Sequence, residues 1–193
     1  MSTEIFEEYI LKMKNQLEVI SLEKLENWAS DFKTAWKKNR QLFICGNGGS
    51  AGNAIHLAND FLYGISPDQS PAIRATALTA NSSILTCLGN DVGYEKIFSE
   101  QLKTLGQSGD LLLVFSGSGN STNIVNAIQT AKKIGMESYA ILGFAGGKCK
   151  ELADHSIHIE LEDMQIAEDF QSIIGHMLMQ WLKRNNPFLE TSA

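Results

Sequence analysis

The chain has 193 residues, 44% hydrophobic and 20% charged, with a formal net charge of −6, a composition that suits a globular domain with a full core. That charge gives no broad positive field for nonspecific nucleic-acid binding. No apolar run reaches the length of a membrane span, and Met1-Ser2-Thr3-Glu4 has neither the basic start nor the apolar core of a signal peptide. The expectation is a cytoplasmic protein that engages neither nucleic acid nor membrane.

The first forty residues predict two helices. Ile5, Tyr9, Ile10, Met13, Leu17 and Ile20 recur at helical spacing, as do Leu22, Leu25, Trp28, Phe32 and Trp36, with Ser21 as an N-cap between the two runs. These helices could pack on a partner subunit or fold back on their own domain, and both readings are open. From residue 41 strand and helix alternate. Strands are expected at Gln41–Cys45, Ile73–Leu78, Asp110–Phe115, Ser138–Leu142 and Ser156–Ile159. Helices are expected from the first glycine loop to Tyr63, around Leu85, over Tyr94–Leu105, Ser121–Ile134 and Lys148–Ala153, and from Gln165 to Lys183. The uniformly apolar Leu111-Leu112-Leu113-Val114-Phe115 suits a central parallel strand buried on both faces. Alternation of this kind predicts one α/β domain, residues 41–193, with a five-stranded parallel sheet covered on both faces and a helical extension over 1–40.

Cys45, Cys87 and Cys149 are odd in number and far apart, without CxxC spacing. They argue against both a disulfide framework and a cysteine zinc site; Cys45 reads as a small core residue. Arginine occurs only at 40, 74 and 184, so an anionic ligand must be held mainly by backbone amides, hydroxyls and helix dipoles. Two loops at strand ends offer these. Cys45-Gly46-Asn47-Gly48-Gly49-Ser50 precedes a helix and lets the backbone approach a ligand closely, yet it matches neither a Walker loop nor the Rossmann fingerprint, and a tight strand-to-helix turn would also explain it. Ser116-Gly117-Ser118-Gly119-Asn120-Ser121 follows the most apolar strand, and its three hydroxyls at a helix N-terminus make a phosphate cradle without a cation.

Other polar residues fall on two helices. His56 and Asp60 are four apart on one face, and Glu168 and His176 are eight apart in the last helix. Together they include suitable zinc ligands, although each pair alone is also what a solvated acid and a satisfied helix histidine look like. His155 and His158 read as surface or sheet-end residues, and Met164, Met177 and Met179 as core packing.

The two loops, with Leu88-Gly89-Asn90-Asp91 between them, resemble the SIS (sugar isomerase) family and within it the phosphoheptose isomerases. The resemblance covers nearly the whole chain, the two leading helices and the order of motifs included. It implies a flavodoxin-like three-layer αβα sandwich, a homotetramer with sites between subunits, and one zinc ion per subunit. It implies substrate contacts at Asn47, Gly48, Gly49, Ser50, Asn90, Asp91, Ser116, Gly117, Ser118, Ser121 and Glu168. The first-helix pattern His-x-x-x-Glu becomes His56 and Asp60 here, and the last-helix Gln-x7-His becomes Glu168 and His176. Position 117 is glycine where many relatives carry threonine. His56, Asp60, Glu168 and His176 would be the metal ligands, with Asp60 and His176 moving the proton. A competing register puts Gln171 and Met179 at the last pair and leaves no histidine. The reaction implied is aldose–ketose interconversion of sedoheptulose 7-phosphate through an enediol, feeding heptose synthesis for cell-surface glycans. A noncatalytic module that binds a sugar phosphate or a partner protein is the alternative.

Overall fold

The computed structural model describes residues 3–67 and 70–189. In chain order the elements are α1 (Glu4–Val19), α2 (Leu22–Lys37), β1 (Gln41–Cys45), α3 (Gly49–Asn59), β2 (Arg74–Ala77), α4 (Ser82–Asp91), α5 (Ser99–Leu105), β3 (Leu111–Ser116), α6 (Thr122–Ile134), β4 (Glu137–Leu142), α7 (Gly147–Leu152), β5 (His155–His158) and α8 (Met164–Arg184). The five strands form one parallel sheet in the order β2-β1-β3-β4-β5. This is the expected fold, and the order is that of the flavodoxin-like doubly wound sheets.

Period-two alternation divides the core. Leu42 and Ile44 of β1, with Leu111, Leu113 and Phe115 of β3, face α2, α3 and α8. Phe43, Cys45, Leu112 and Val114 face the other way, against α5, α6 and α7. Burial raises the Cys45 thiol pKa and pushes that of Cys149 up to about 11, so both are packing residues rather than thiolates.

Helix α2 folds back on its own sheet. It buries Leu25, Trp28, Ala29, Phe32, Ala35 and Trp36, and the rings of Trp28 and Phe32 each meet Tyr139 edge-on at 5.1 Å. Burying each of these two aromatics stabilises by roughly 1.5–3 kcal/mol. Helix α1 buries no residue completely, although Tyr9 and Met13 pack partly against the core. It is tied to α8 by the Tyr9 hydroxyl, which donates to Asp169, and by Lys12, 3.4 Å from Asp163. The hydrogen bond to the Asp169 carboxylate pushes the Tyr9 pKa up to about 12.

Three local expectations are corrected. The helix expected over Tyr94–Leu105 breaks into a 3₁₀ turn, Tyr94–Lys96, and α5, because the adjacent Ile97 and Phe98 both turn into the core. The helix expected to reach Tyr63 is α-helical only to Asn59 and ends in a π turn, Asp60–Gly64. That turn buries Phe61 completely and leaves Leu62 and Tyr63 outside. Met164 and Met177 are each 39% exposed rather than core; only Met179 packs partly against it.

Helices α3 and α8 lie side by side with ascending register: Gly49 meets Glu168, Leu57 meets Gly175 and Gly64 meets Met179. Gly175 sets their separation, since a Cβ there would stand 2.4 Å from Leu57 Cδ1. Gly175→Val should therefore lower stability by roughly 1–3 kcal/mol through overpacking. Urea denaturation checks this, and adding Leu57→Ala to the same chain should recover part of the loss.

Candidate active site

Because β2 lies to one side of β1 and β3 to the other, the chain leaves the sheet in opposite directions at the carboxyl ends of β1 and β3. A crevice opens at that switch point, where doubly wound sheets bind ligands. Both glycine loops end there. Together they line a cavity of about 260 Å³ whose walls include Asn47, Gly48, Ser50, Ser116, Ser118 and Ser121.

The loops are latched to each other and to the scaffold. Asn47 and Asn123 exchange amide hydrogen bonds of 2.9 and 2.8 Å, and the Tyr94 hydroxyl donates to Asn47 Oδ1 at 2.9 Å. The Asn47 side chain thus joins the first loop to α6. Within the second loop, Ser116 Oγ accepts from the Gly119 amide at 3.1 Å and Ser118 Oγ from that of Asn120 at 3.2 Å. Gly119 has φ +66 and stands so close to Gly146 that a Cβ would fall 1.9 Å from its carbonyl oxygen. The glycine is required on both counts.

Each loop opens a helix with no side-chain cap. Gly48 stands at the N-cap of α3, and Ser121 holds that position in α6 without its hydroxyl closing on a helix amide. Two N-terminal dipoles and a set of hydroxyls therefore converge on one cavity, which suits an anion in a chain whose own charge is negative. Glu168 reaches the same place from α8: a Cβ on Gly49 would lie 2.2 Å from its carboxylate oxygen.

Farther along the α3–α8 seam, Asn53 Nδ2 donates to the Glu168 carbonyl at 2.9 Å and to Gln171 Oε1 at 3.0 Å, and Ser172 donates to Asn53 Oδ1 at 3.0 Å. Beyond them His56 Nε2 and His176 Nε2 are 2.9 Å apart, and Asp60 Oδ2 is 3.5 and 3.4 Å from the two nitrogens. The rings meet edge-on. The π turn carries Asp60, whose side chain is 15% exposed against 52% and 41% for the histidines. The triad is thus an accessible cluster on a half-buried carboxylate. Ligands of one tetrahedral zinc ion with bonds of ~2.0–2.1 Å stand about 3.3 Å apart, so these three donor atoms fit such a cation.

Of the expected quartet, the structure brings together His56, Asp60 and His176. Glu168 does not join them: it is outside the group of donor atoms lying within 4.8 Å of one another. Its side chain leans toward the amino end of α8, as helical side chains do, and the N-terminus of α3 draws its charge. Gln171, the other reading of that position, is buried between α3 and α8 and faces Asn53, and Met179 lies against Gly64. Asn90 and Asp91 end α4, exposed and hydrogen-bonded to each other at 2.8 Å, and are not among the residues lining the cavity. His155 stacks on Tyr139 and His158 donates to the Phe144 carbonyl at 2.8 Å, so both serve the sheet end. Asp31, Glu137 and His155 form a second acidic group at the amino ends of β4 and β5, where both carboxylates engage the Tyr139 hydroxyl. Sequence reasoning missed Asn53, Tyr94 and Asn123, whose roles depend on partners remote in the chain; an asparagine in the first turn of α6 was the one local signal.

Among proteins of known kind, a family model described as the SIS domain matches residues 6–143. The phosphoheptose isomerase of Akkermansia muciniphila is 40% identical over 148 residues, which is 77% of this chain and 78% of that protein. Two solved structures share the fold over 94% of this chain and 96% of theirs. They are the phosphoheptose isomerase of Neisseria gonorrhoeae (TM-score 0.86, 28% identity) and one from Francisella tularensis (0.88, 25%).

The second loop can be tested directly. Gly119→Ala should cost at least about 2 kcal/mol, from the left-handed φ and the contact with Gly146. It should also abolish binding of inorganic phosphate, read by calorimetry beside the unaltered protein.

Proposed function

The chain belongs to the SIS domain family, and from that premise we propose that its reaction is the interconversion of sedoheptulose 7-phosphate and D-glycero-D-manno-heptose 7-phosphate. It is an isomerase of a sugar phosphate. The observation that carries the heptose reading is the seam between α3 and α8, with an anion cavity at one end and a proton-transfer group at the other. From Gly49 to His56 a helix rises about 10 Å, a span for an extended heptose rather than a triose.

The cavity holds the phosphate through the hydroxyls of Ser116, Ser118 and Ser121 and the amides at the two helix ends, which orients the sugar chain along the seam. At the far end Asp60 offers a second carboxylate oxygen beyond the one facing the histidines. It takes the C1 proton of the ketose and returns it to C2 of the enediol, while His176 handles the proton that moves between the C1 and C2 oxygens. A zinc ion held by His56, Asp60 and His176 would supply polarisation of those oxygens as a Lewis acid instead. Asp60 is one methylene shorter than glutamate, and the π turn beneath it alters where its carboxylate stands.

Self-association, as a tetramer, belongs to the proposal. It is supported by the apolar residues Ile5, Phe6 and Ile10 on α1, each about two-thirds exposed, and by Asn90 and Asp91 lying outside the cavity of their own chain. A cytoplasmic location follows from the chemistry, since phosphorylated sugars are retained there, and the heptose product would feed cell-surface glycans such as lipopolysaccharide or capsule.

Incubating the protein with sedoheptulose 7-phosphate, with and without added zinc, should give an aldose anomeric signal by NMR; no conversion in either condition overturns the heptose assignment. Metal analysis should find about one zinc per chain and a loss of most of it in His56→Ala. Equal zinc in both proteins would remove the triad as ligand set.

A further inference from the structure

The phosphate cavity has one wall that its hydroxyls do not explain. Gly117 does not need to be glycine for its backbone, being absent from the residues with positive φ. What occupies the place of its side chain is Met164: a Cβ at position 117 would stand 2.5 Å from the Met164 sulfur and 2.9 Å from its methyl carbon. Phe144 comes to 3.6 Å of the same point. Phe144 is held at φ +49, a conformation rare for a side-chain-bearing residue, by its amide donating to the Leu161 carbonyl at 3.2 Å and by His158 donating to its own carbonyl at 2.8 Å. Met164 is the first residue of α8 and Glu168 lies one helical turn on, so the two project from one face. Met164 meets the second glycine loop there and Glu168 the first.

We infer that Met164 is a specificity-determining residue of the phosphate cavity, its thioether replacing the side chain missing at Gly117 and making that wall apolar, which disfavours a second phosphoryl group beside the first. The inference rests on the phosphate-site reading above. A thioether offers no strong donor, so the phosphoryl oxygens must turn toward the serine hydroxyls and helix amides. A second phosphoryl group on that side would lose hydration without gaining a partner, which is costly for a charged group. The ligand class favoured is a phosphate monoester, and diphosphates are disfavoured.

Calorimetry with inorganic phosphate, pyrophosphate and sedoheptulose 7-phosphate on the intact protein tests this. The unaltered protein should prefer phosphate to pyrophosphate. Met164→Ala should shift that ratio toward pyrophosphate by about tenfold or more, and Gly117→Thr combined with Met164→Ala should bring it back to within about threefold, as the threonine refills the wall. Met164→Leu, which keeps the apolar volume, should retain the unaltered ratio. Met164 is 39% exposed, so thermal midpoints should stay together across the set. A ratio that is the same in all four proteins, or a double variant that stays with Met164→Ala, overturns the inference and leaves the phosphate site standing. If the unaltered protein binds neither phosphate nor the sugar phosphate, the site reading falls and the inference with it.

Discussion

The contact of Gly175 with Leu57 lets α3 and α8 approach closely, and the site follows from that approach. With the helices side by side and in register, Glu168 comes to Gly49, Gln171 and Ser172 come to Asn53, and His176 comes to His56. A wider separation would part the two histidine nitrogens, whose 2.9 Å distance depends on the helix spacing. The glycine and the histidine are consecutive, so one residue grants the proximity that the next one uses. Position 175 has no room for even one methyl group.

At the other end of the seam the proposed function requires a dianion to be held in a chain with a net charge of −6. The structure uses partial charges in place of cations. Two helix N-termini meet at the switch point of the sheet, neither closed by its own side chain, and hydroxyls from one loop fill the space between them. Within the loops their own groups satisfy one another: Asn47 with Asn123 and Tyr94, Ser116 with the Gly119 amide, and Ser118 with that of Asn120. A preformed cradle spends little ordering entropy when the ligand arrives. The placement of Glu168 in this cavity is the departure with the largest electrostatic consequence, because under the proposed function a carboxylate and a phosphoryl group would share the reach of one helix N-terminus.

The layered architecture was legible because apolar periodicity is local. Leu42 and Ile44 alternate with Phe43 and Cys45 in the sequence as they do across the sheet, and the run from Leu111 to Phe115 is apolar throughout because both its faces are covered. The two loops were legible as well, since glycine and serine ahead of a helix carry their own backbone chemistry. The break at Ile97 and Phe98 was not. Adjacent apolar residues are compatible with a helix until a particular neighbour requires both to be buried.

Within the site, the same boundary separates what spacing can express from what it cannot. His56 and Asp60 are four residues apart, so helical geometry alone puts them on one face. That His176 joins them and Glu168 does not was decided by the packing of α3 against α8, which sets a histidine beside the π turn and a carboxylate beside an uncapped N-terminus about 12 Å earlier along the helix. Met164 shows the limit most plainly: in the sequence it is one more apolar residue of a helical stripe, and only the fold sets its thioether against Gly117. The sequence by itself determined the sheet, its flanking helices and the two glycine loops at the strand ends, because those depend on periodicity and backbone conformation within a few residues. The tertiary structure alone decided which distant side chains share a point in space, because that depends on how closely two helices can pack.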